Sequence, residues 1–173
     1  MKRGIVIVLF FFFGCQENTK NNKVMEEQQQ IQEVVTSVFI HTDNGHWSAV
    51  EALFDAQVDL DYSSMTGNPA VSLSPQAITT AWKTVLPGFL HTHHQIGNFV
   101  IKVVEDKAHA FIYGTATHYL EDDAGSLWTV VGTYDFDLEK RMGDWKINKM
   151  KFNYKYQTGN PELVKRAITN VKK

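Results

Sequence analysis

At 173 residues, 43% of them hydrophobic, the chain has room for one domain with a substantial core rather than for several. Its 17 basic residues are offset by 19 acidic ones and form no basic stripe, which excludes nucleic acid as a partner. The single cysteine, Cys15, excludes a disulfide framework and a cysteine-ligated metal in the folded part.

The amino terminus carries a targeting signal. Lys2 and Arg3 precede an unbroken apolar run, Ile5 to Phe13, that is too short to span a bilayer as a helix. Gly14 and Cys15 follow at once. A basic start, a short apolar stretch and a small residue at the cut describe a secretory signal peptide over residues 1–14. The ending Phe13-Gly14-Cys15 resembles a bacterial lipobox, in which Cys15 receives acyl chains such as palmitate and becomes the mature first residue. An ordinary signal peptide with an incidental cysteine, or an uncleaved anchor, are the alternatives. Loss of Lys2 and Arg3 takes the formal charge from −2 to −4. Residues 15–24 are polar and read as a flexible, lipidated tether to the cell envelope, at the outer membrane or the periplasmic face.

The domain is expected over residues 25–173. Ile31, Val34, Val35, Val38 and Phe39 recur at helical spacing, so an amphipathic helix is predicted from Met25 to about Thr42, stopped by Asn44-Gly45. A short second helix covers Trp47 to Phe54. Val58, Leu60 and Tyr62 alternate with Asp59 and Asp61 as a half-buried strand. Ser74-Pro75 caps a helix running to about Leu86, ended by Pro87-Gly88. Four long strands follow, at about Thr92–Glu105, Ala108–Leu120, Leu127–Arg141 and Trp145–Tyr156. The apolar phase switches between Ile147 and Met150, which predicts a bulge. Asn160-Pro161 opens a last helix with the stripe Leu163, Val164, Ala167, Ile168 and Val171.

Helices first and a long meander after them make an α+β domain. The expected form is a strongly curved antiparallel sheet wrapped around the N-terminal helices, cone-shaped with one deep pocket. Ala108, Ala110, Ile112, Gly114, Ala116 and His118 share one strand face. Trp128, Val130, Gly132, Tyr134, Phe136 and Leu138 share the face beside it. Small residues next to aromatics leave concave space.

The segments Thr42-Asp43-Asn44-Gly45-His46-Trp47, Asp61-Tyr62, Thr92-His93-His94-Gln95-Ile96-Gly97 and Ala116-Thr117-His118 occur in this order on compatible elements. In this the chain resembles the SnoaL-like branch of the nuclear transport factor 2-like superfamily, and within it the scytalone dehydratases, over about residues 30 to 160. The resemblance implies a pocket carrying Asp43, His94, His118 and Tyr62 as catalytic groups. Tyr134, Thr42, Trp47 and Asn98 are expected to contact substrate. A tyrosine of that pattern falls on Thr42, and its serine and asparagine fall near Gly132 and Tyr134.

The chemistry can be argued from residue types alone. Eliminating water beside a carbonyl needs a base for the proton, a donor for the enolate oxygen and an acid for the leaving hydroxyl. Histidine titrates near working pH and suits the first and third roles. A buried carboxylate can fix its tautomer, and tyrosine hydroxyls can hold the enolate. No metal or organic cofactor is required. Other readings stay open at this point: Asp43 as a solvent-facing helix end, His118 as a structural histidine, Tyr62 and Tyr134 as core aromatics, and His91, His93 and His94 as a metal cluster. Strand alternation sends His91 and His93 to one face and His94 to the other.

The expected function is a cofactor-free dehydratase acting on a hydroxylated acid or carbonyl compound. From the envelope location, a uronic acid end of an oligosaccharide is the suggested substrate. A cofactor-free isomerase or cyclase, or a ligand-binding lipoprotein on the same fold, are the alternatives. A homodimer through the outer sheet face is expected by analogy with related folds. If Cys15 is the lipid attachment site, Cys15→Ser will release the protein from the membrane fraction. Fractionation with labelled fatty acid checks this.

Overall fold

The computed structural model describes residues 15–172; residues 1–14, expected as a signal peptide, lie outside them. The first helix, α1, spans Cys15–Asp43, so residues 15–24, expected as a flexible tether, are continuous with it. Glutamate, glutamine, lysine and methionine favour helix intrinsically, so a lack of apolar anchors does not end the helix. Its first buried residue is Ile31, and the stripe Ile31, Val35, Val38 and Phe39 is packed into the core. Gly45, at φ 67°, takes the left-handed turn that ends α1, and Asn44 Nδ2 donates to the Ile40 carbonyl at 2.7 Å. Among the described residues no helix is long and apolar enough to cross a membrane.

The remaining elements are α2 (Trp47–Leu53), β1 (Phe54–Asp61), α3 (Ser63–Thr66), β2 (Val71–Leu73), α4 (Pro75–Lys83), a 3₁₀ turn (Leu86–Gly88), β3 (His91–Val104), β4 (Lys107–Tyr119), β5 (Leu127–Arg141), β6 (Asp144–Gly159) and α5 (Leu163–Val171). Ser74 caps α4 as expected, its side chain accepting from the Ala77 amide. α3 and β2 were not predicted, being too short to carry a periodic signal.

Six strands form one sheet in the order β2-β1-β6-β5-β4-β3. The meander β3 to β6 is antiparallel as expected, but β1 pairs with β6 in parallel, so the sheet is mixed. The expected bulge is present: Asp137 pairs with Lys149 and Leu138 with Ile147, leaving Asn148 as the extra residue. A second irregularity lies in β3, where Gly97 pairs with Tyr113 and Val100 with Phe111. Bulges add local twist and bend the sheet, and the result is the curved, open cone of an α+β domain.

Polar contacts hold both ends of α1 in the cone besides its apolar stripe. At one end Glu27 accepts from Lys140 Nζ at 2.5 Å and from Trp145 Nε1 at 2.7 Å. Gln28 Nε2 donates to the Ile101 carbonyl on the free edge of β3. The wide end of the cone is covered by α5, whose Leu163 and Ala167 are buried against the 3₁₀ turn. There Gly88 has no room for a side chain, since a Cβ would stand 2.0 Å from the Ala167 carbonyl oxygen. Gly88→Ala should therefore cost about 1–3 kcal/mol by pushing α5 off the turn, measured as a lowered urea midpoint with the fold retained.

Candidate active site

The site forms where the end of α1 meets the edge strand β3. Asp43 is the last residue of α1, and its side chain is only 14% exposed, so it is not a solvated helix end. Asp43 Oδ2 accepts the His94 backbone N–H at 2.7 Å, and Oδ1 accepts the Thr92 hydroxyl at 2.9 Å. The same Oδ1 lies 2.7 Å from His94 Nδ1. Burial alone pulls the Asp43 pKa up. The His94 hydrogen bond and charge, the His94 amide and the Thr92 hydroxyl together outweigh it, and the carboxyl is held below its ordinary value. An ionised Asp43 makes Nδ1 the protonated nitrogen of neutral His94 and leaves Nε2 free to accept a proton.

His94 faces a cavity of about 410 Å³ between α1, α4, α5 and the concave sheet face. Thr42, Tyr62, His118 and Tyr134 also line it. The remainder of the wall is apolar, including Phe39, Trp82, Trp128, Met150 and Phe152, and among the described residues no lysine, arginine, aspartate or glutamate reaches it. Phe39 packs 5.3 Å from the His94 ring and 5.0 Å from Tyr134, centre to centre.

His118 stands 6.3 Å from His94, held between Phe89 at 4.8 Å and Trp128 at 4.7 Å. Its Nδ1 lies 3.3 Å from the Trp128 carbonyl. Burial, reinforced by the nearby His94 charge, pushes its pKa down from 6.5 to about 4. It is neutral at physiological pH, with Nδ1–H donating to Trp128 and Nε2 left as an acceptor. Tyr62 is raised above its ordinary pKa by burial. Tyr134 is raised by burial and by its proximity to Tyr62 and Asp43. Both hydroxyls stay protonated, and neither has a hydrogen-bond partner among the described residues, so each can donate to a ligand. Gly114 makes room for Tyr134, since a Cβ there would come within 2.5 Å of its ring.

A model of the SnoaL-like domain matches residues 23–151. The chain belongs to the SnoaL-like family. No curated protein sequence matches it. Among solved structures, the Kfla4162 protein of Kribbella flavida superposes with a TM-score of 0.75 at 20% identity, covering 87% of this chain and 99% of that one. A proposed scytalone dehydratase from Novosphingobium aromaticivorans gives 0.67 at 22%, covering 82% and 91%. The LinA-type3 hexachlorocyclohexane dehydrochlorinase of Novosphingobium barchaimii gives 0.69 at 15%, covering 82% and 94%. At these identities the likenesses establish the nuclear transport factor 2-like cone.

Within this SnoaL-like domain, the structure brings six of the expected site residues together: Asp43, His94, His118, Tyr62, Tyr134 and Thr42. Thr42 is buried in the wall, and its hydroxyl has no partner among the described residues. Two expected contacts lie elsewhere. Trp47 is the first residue of α2 and borders a separate cleft, with Lys83 Nζ 5.6 Å from its ring. Asn98 is exposed, in the left-handed conformation (φ 54°) within the β3 bulge, which reverses the alternation that would turn it inward. His91 and His93 are exposed on the face away from His94, and no cluster of three histidine, cysteine or acidic residues suited to a metal is present among the described residues. Sequence reasoning missed Thr92. Its signal was available, since a residue two before His94 on a strand shares its face.

The depressed His118 pKa has a sign that can be tested. The unfolded chain takes up this proton near pH 6.5 and the folded chain only near 4, so stability from neutral His118 is complete above 6.5 and is lost as pH falls towards 4. Urea unfolding between those pH values should show this loss, and His118→Gln should flatten that part of the profile.

Proposed function

We propose that this SnoaL-like domain is a cofactor-free lyase that eliminates water from a compact, largely apolar hydroxy-carbonyl compound. The observation that carries the reading is a carboxylate-oriented histidine opening into an uncharged, apolar cavity. In the proposed sequence, Tyr62 and Tyr134 donate to the substrate carbonyl oxygen. His94 Nε2 removes the proton on the adjacent carbon, and the electron pair forms the enolate. The carbon–oxygen bond at the next position then breaks, and the His94 imidazolium returns its proton to the departing hydroxide as water. Asp43 stabilises the transient cation. His118 Nε2 accepts from the substrate hydroxyl and holds it for departure.

The lining favours a hydroxylated cyclic ketone over a uronic acid end of an oligosaccharide. A sugar carboxylate would lose its hydration with no cation to replace it. A neutral His118 leaves no second acid, which supports an isomerase as the next reading, since one base can remove and return the same proton. Lipid attachment at Cys15 would place the reaction at the cell envelope, and that location is part of the proposal.

The test is to incubate the soluble domain with a panel of hydroxylated cyclic ketones and uronate oligosaccharides. The lyase gives loss of one water and new ultraviolet absorbance, whereas an isomerase gives product of unchanged mass. On the substrate so found, His94→Ala and His94→Asn should lower turnover by at least about a hundredfold. Asp43→Asn should lower it less, and His93→Ala should be nearly silent.

A further inference from the structure

Thr92 lies on β3 opposite His118 and two residues before His94, so its side chain shares the His94 face of the strand. Its hydroxyl donates to Asp43 Oδ1, the oxygen that also meets His94 Nδ1. With the His94 amide on Oδ2, the carboxylate is held by three donors from two residues of one strand. Thr92 and Asp43 also border a second cleft of about 260 Å³, which shares Thr42 and Leu86 with the main cavity. Both residues are therefore bordered by solvent in that cleft.

We propose that Thr92 is a positioning residue for the Asp43–His94 pair. It ties down Oδ1 so that this oxygen stays in line with His94 Nδ1–H, and it keeps water from competing for that oxygen. The inference rests on the reading of Asp43 and His94 as the acid–base pair, but its geometry can be tested without a substrate. One carboxylate oxygen accepts both a neutral hydroxyl and the imidazole N–H. Removing the hydroxyl leaves the ionised form of Asp43 with one donor fewer, which favours its protonation. It also frees Oδ1 to turn from Nδ1 towards the cleft.

Three substitutions separate donation from shielding. Thr92→Val keeps the shape and removes the donor, Thr92→Ser keeps the donor, and Thr92→Ala removes both. Carbon-13 spectra of the Asp43 carboxyl, recorded through an acid titration, read its protonation directly. Nitrogen-15 spectra of the His94 ring read solvent exchange of the Nδ1 proton. Thr92→Val should move the Asp43 titration up towards the ordinary carboxylate range and speed exchange of the Nδ1 proton roughly fivefold to tenfold. Thr92→Ser should match the wild type, and Thr92→Ala should exchange fastest. Valine is favoured in strands, so the fold is expected to persist. If it fails to form, the contrast of Thr92→Ser with Thr92→Ala decides the matter. An unchanged Asp43 titration and Nδ1 exchange in Thr92→Val, or in Thr92→Ala where the valine protein does not fold, overturns the proposal. So does a Thr92→Ser protein as altered as Thr92→Ala. If these spectra behave as expected and no compound in the panel is turned over, the positioning role stands and the lyase reading falls.

Discussion

One carboxylate joins the two halves of this fold at the place where its chemistry is expected. Asp43 ends α1, and all three of its donors, the Thr92 hydroxyl, the His94 amide and His94 Nδ1, come from the edge strand β3. An acidic residue in the last turn of a helix faces the unfavourable end of the helix dipole, at a cost of about 0.3–1 kcal/mol. Hydrogen bonds from β3 offset that cost. The same contact satisfies an amide on a strand edge that has no further strand to pair with, much as Gln28 does for the Ile101 carbonyl nearer the start of the helix. Closing the sheet edge with α1 and orienting His94 are thus one event.

The cavity follows from how side-chain size is distributed over the curved sheet. Gly114 and Ala116 on β4 lie beside Tyr134 and Val130 on β5, so large rings lean across the space that small residues leave. Bulges in β3 and β6 bend the strands and change which residues face inward. In β3, Thr92, His94 and Ile96 are half-buried before the bulge, and Phe99, Ile101 and Val103 after it. The helices then close the remaining sides, with Trp82 on α4 and Val164 on α5 completing the wall.

Charge is segregated by this arrangement. The interior keeps neutral groups: a histidine that burial holds uncharged and two tyrosines that burial holds protonated. Charges sit on the outer face, where His109 lies between Asp135 and Asp137, and Asn153 donates to Asp135. The two aspartates, 30% and 43% exposed, are thus paired with His109 across strands. Ionised Asp43 stands beside the cavity without lining it, and its partner His94 carries its influence into the cavity. Low polarity around that pair strengthens its electrostatic effect on any charge that develops on bound substrate.

Much of this was legible in the sequence, because periodicity reports burial directly. The α1 stripe, the four long strands and the β6 bulge were readable from Ile31 to Phe39 and from the phase change at Ile147 to Met150. The opposite faces of His93 and His94 followed from alternation alone. Family likeness on four short segments pointed to Asp43, His94, His118 and Tyr62 before any geometry was available. Only the tertiary structure decided the rest. The parallel pairing of β1 with β6 joins segments nearly a hundred residues apart, and no local pattern encodes a partner at that distance. The inward turn of Asp43 depends on where β3 passes the end of α1, and sequence favours a solvated helix end equally well. Asn98 was misplaced because a bulge reverses alternation, and Trp47 because the start of α2 borders a separate cleft. The uncharged wall of the cavity required side chains from helices and strands across the whole fold to be assembled before its polarity could be known.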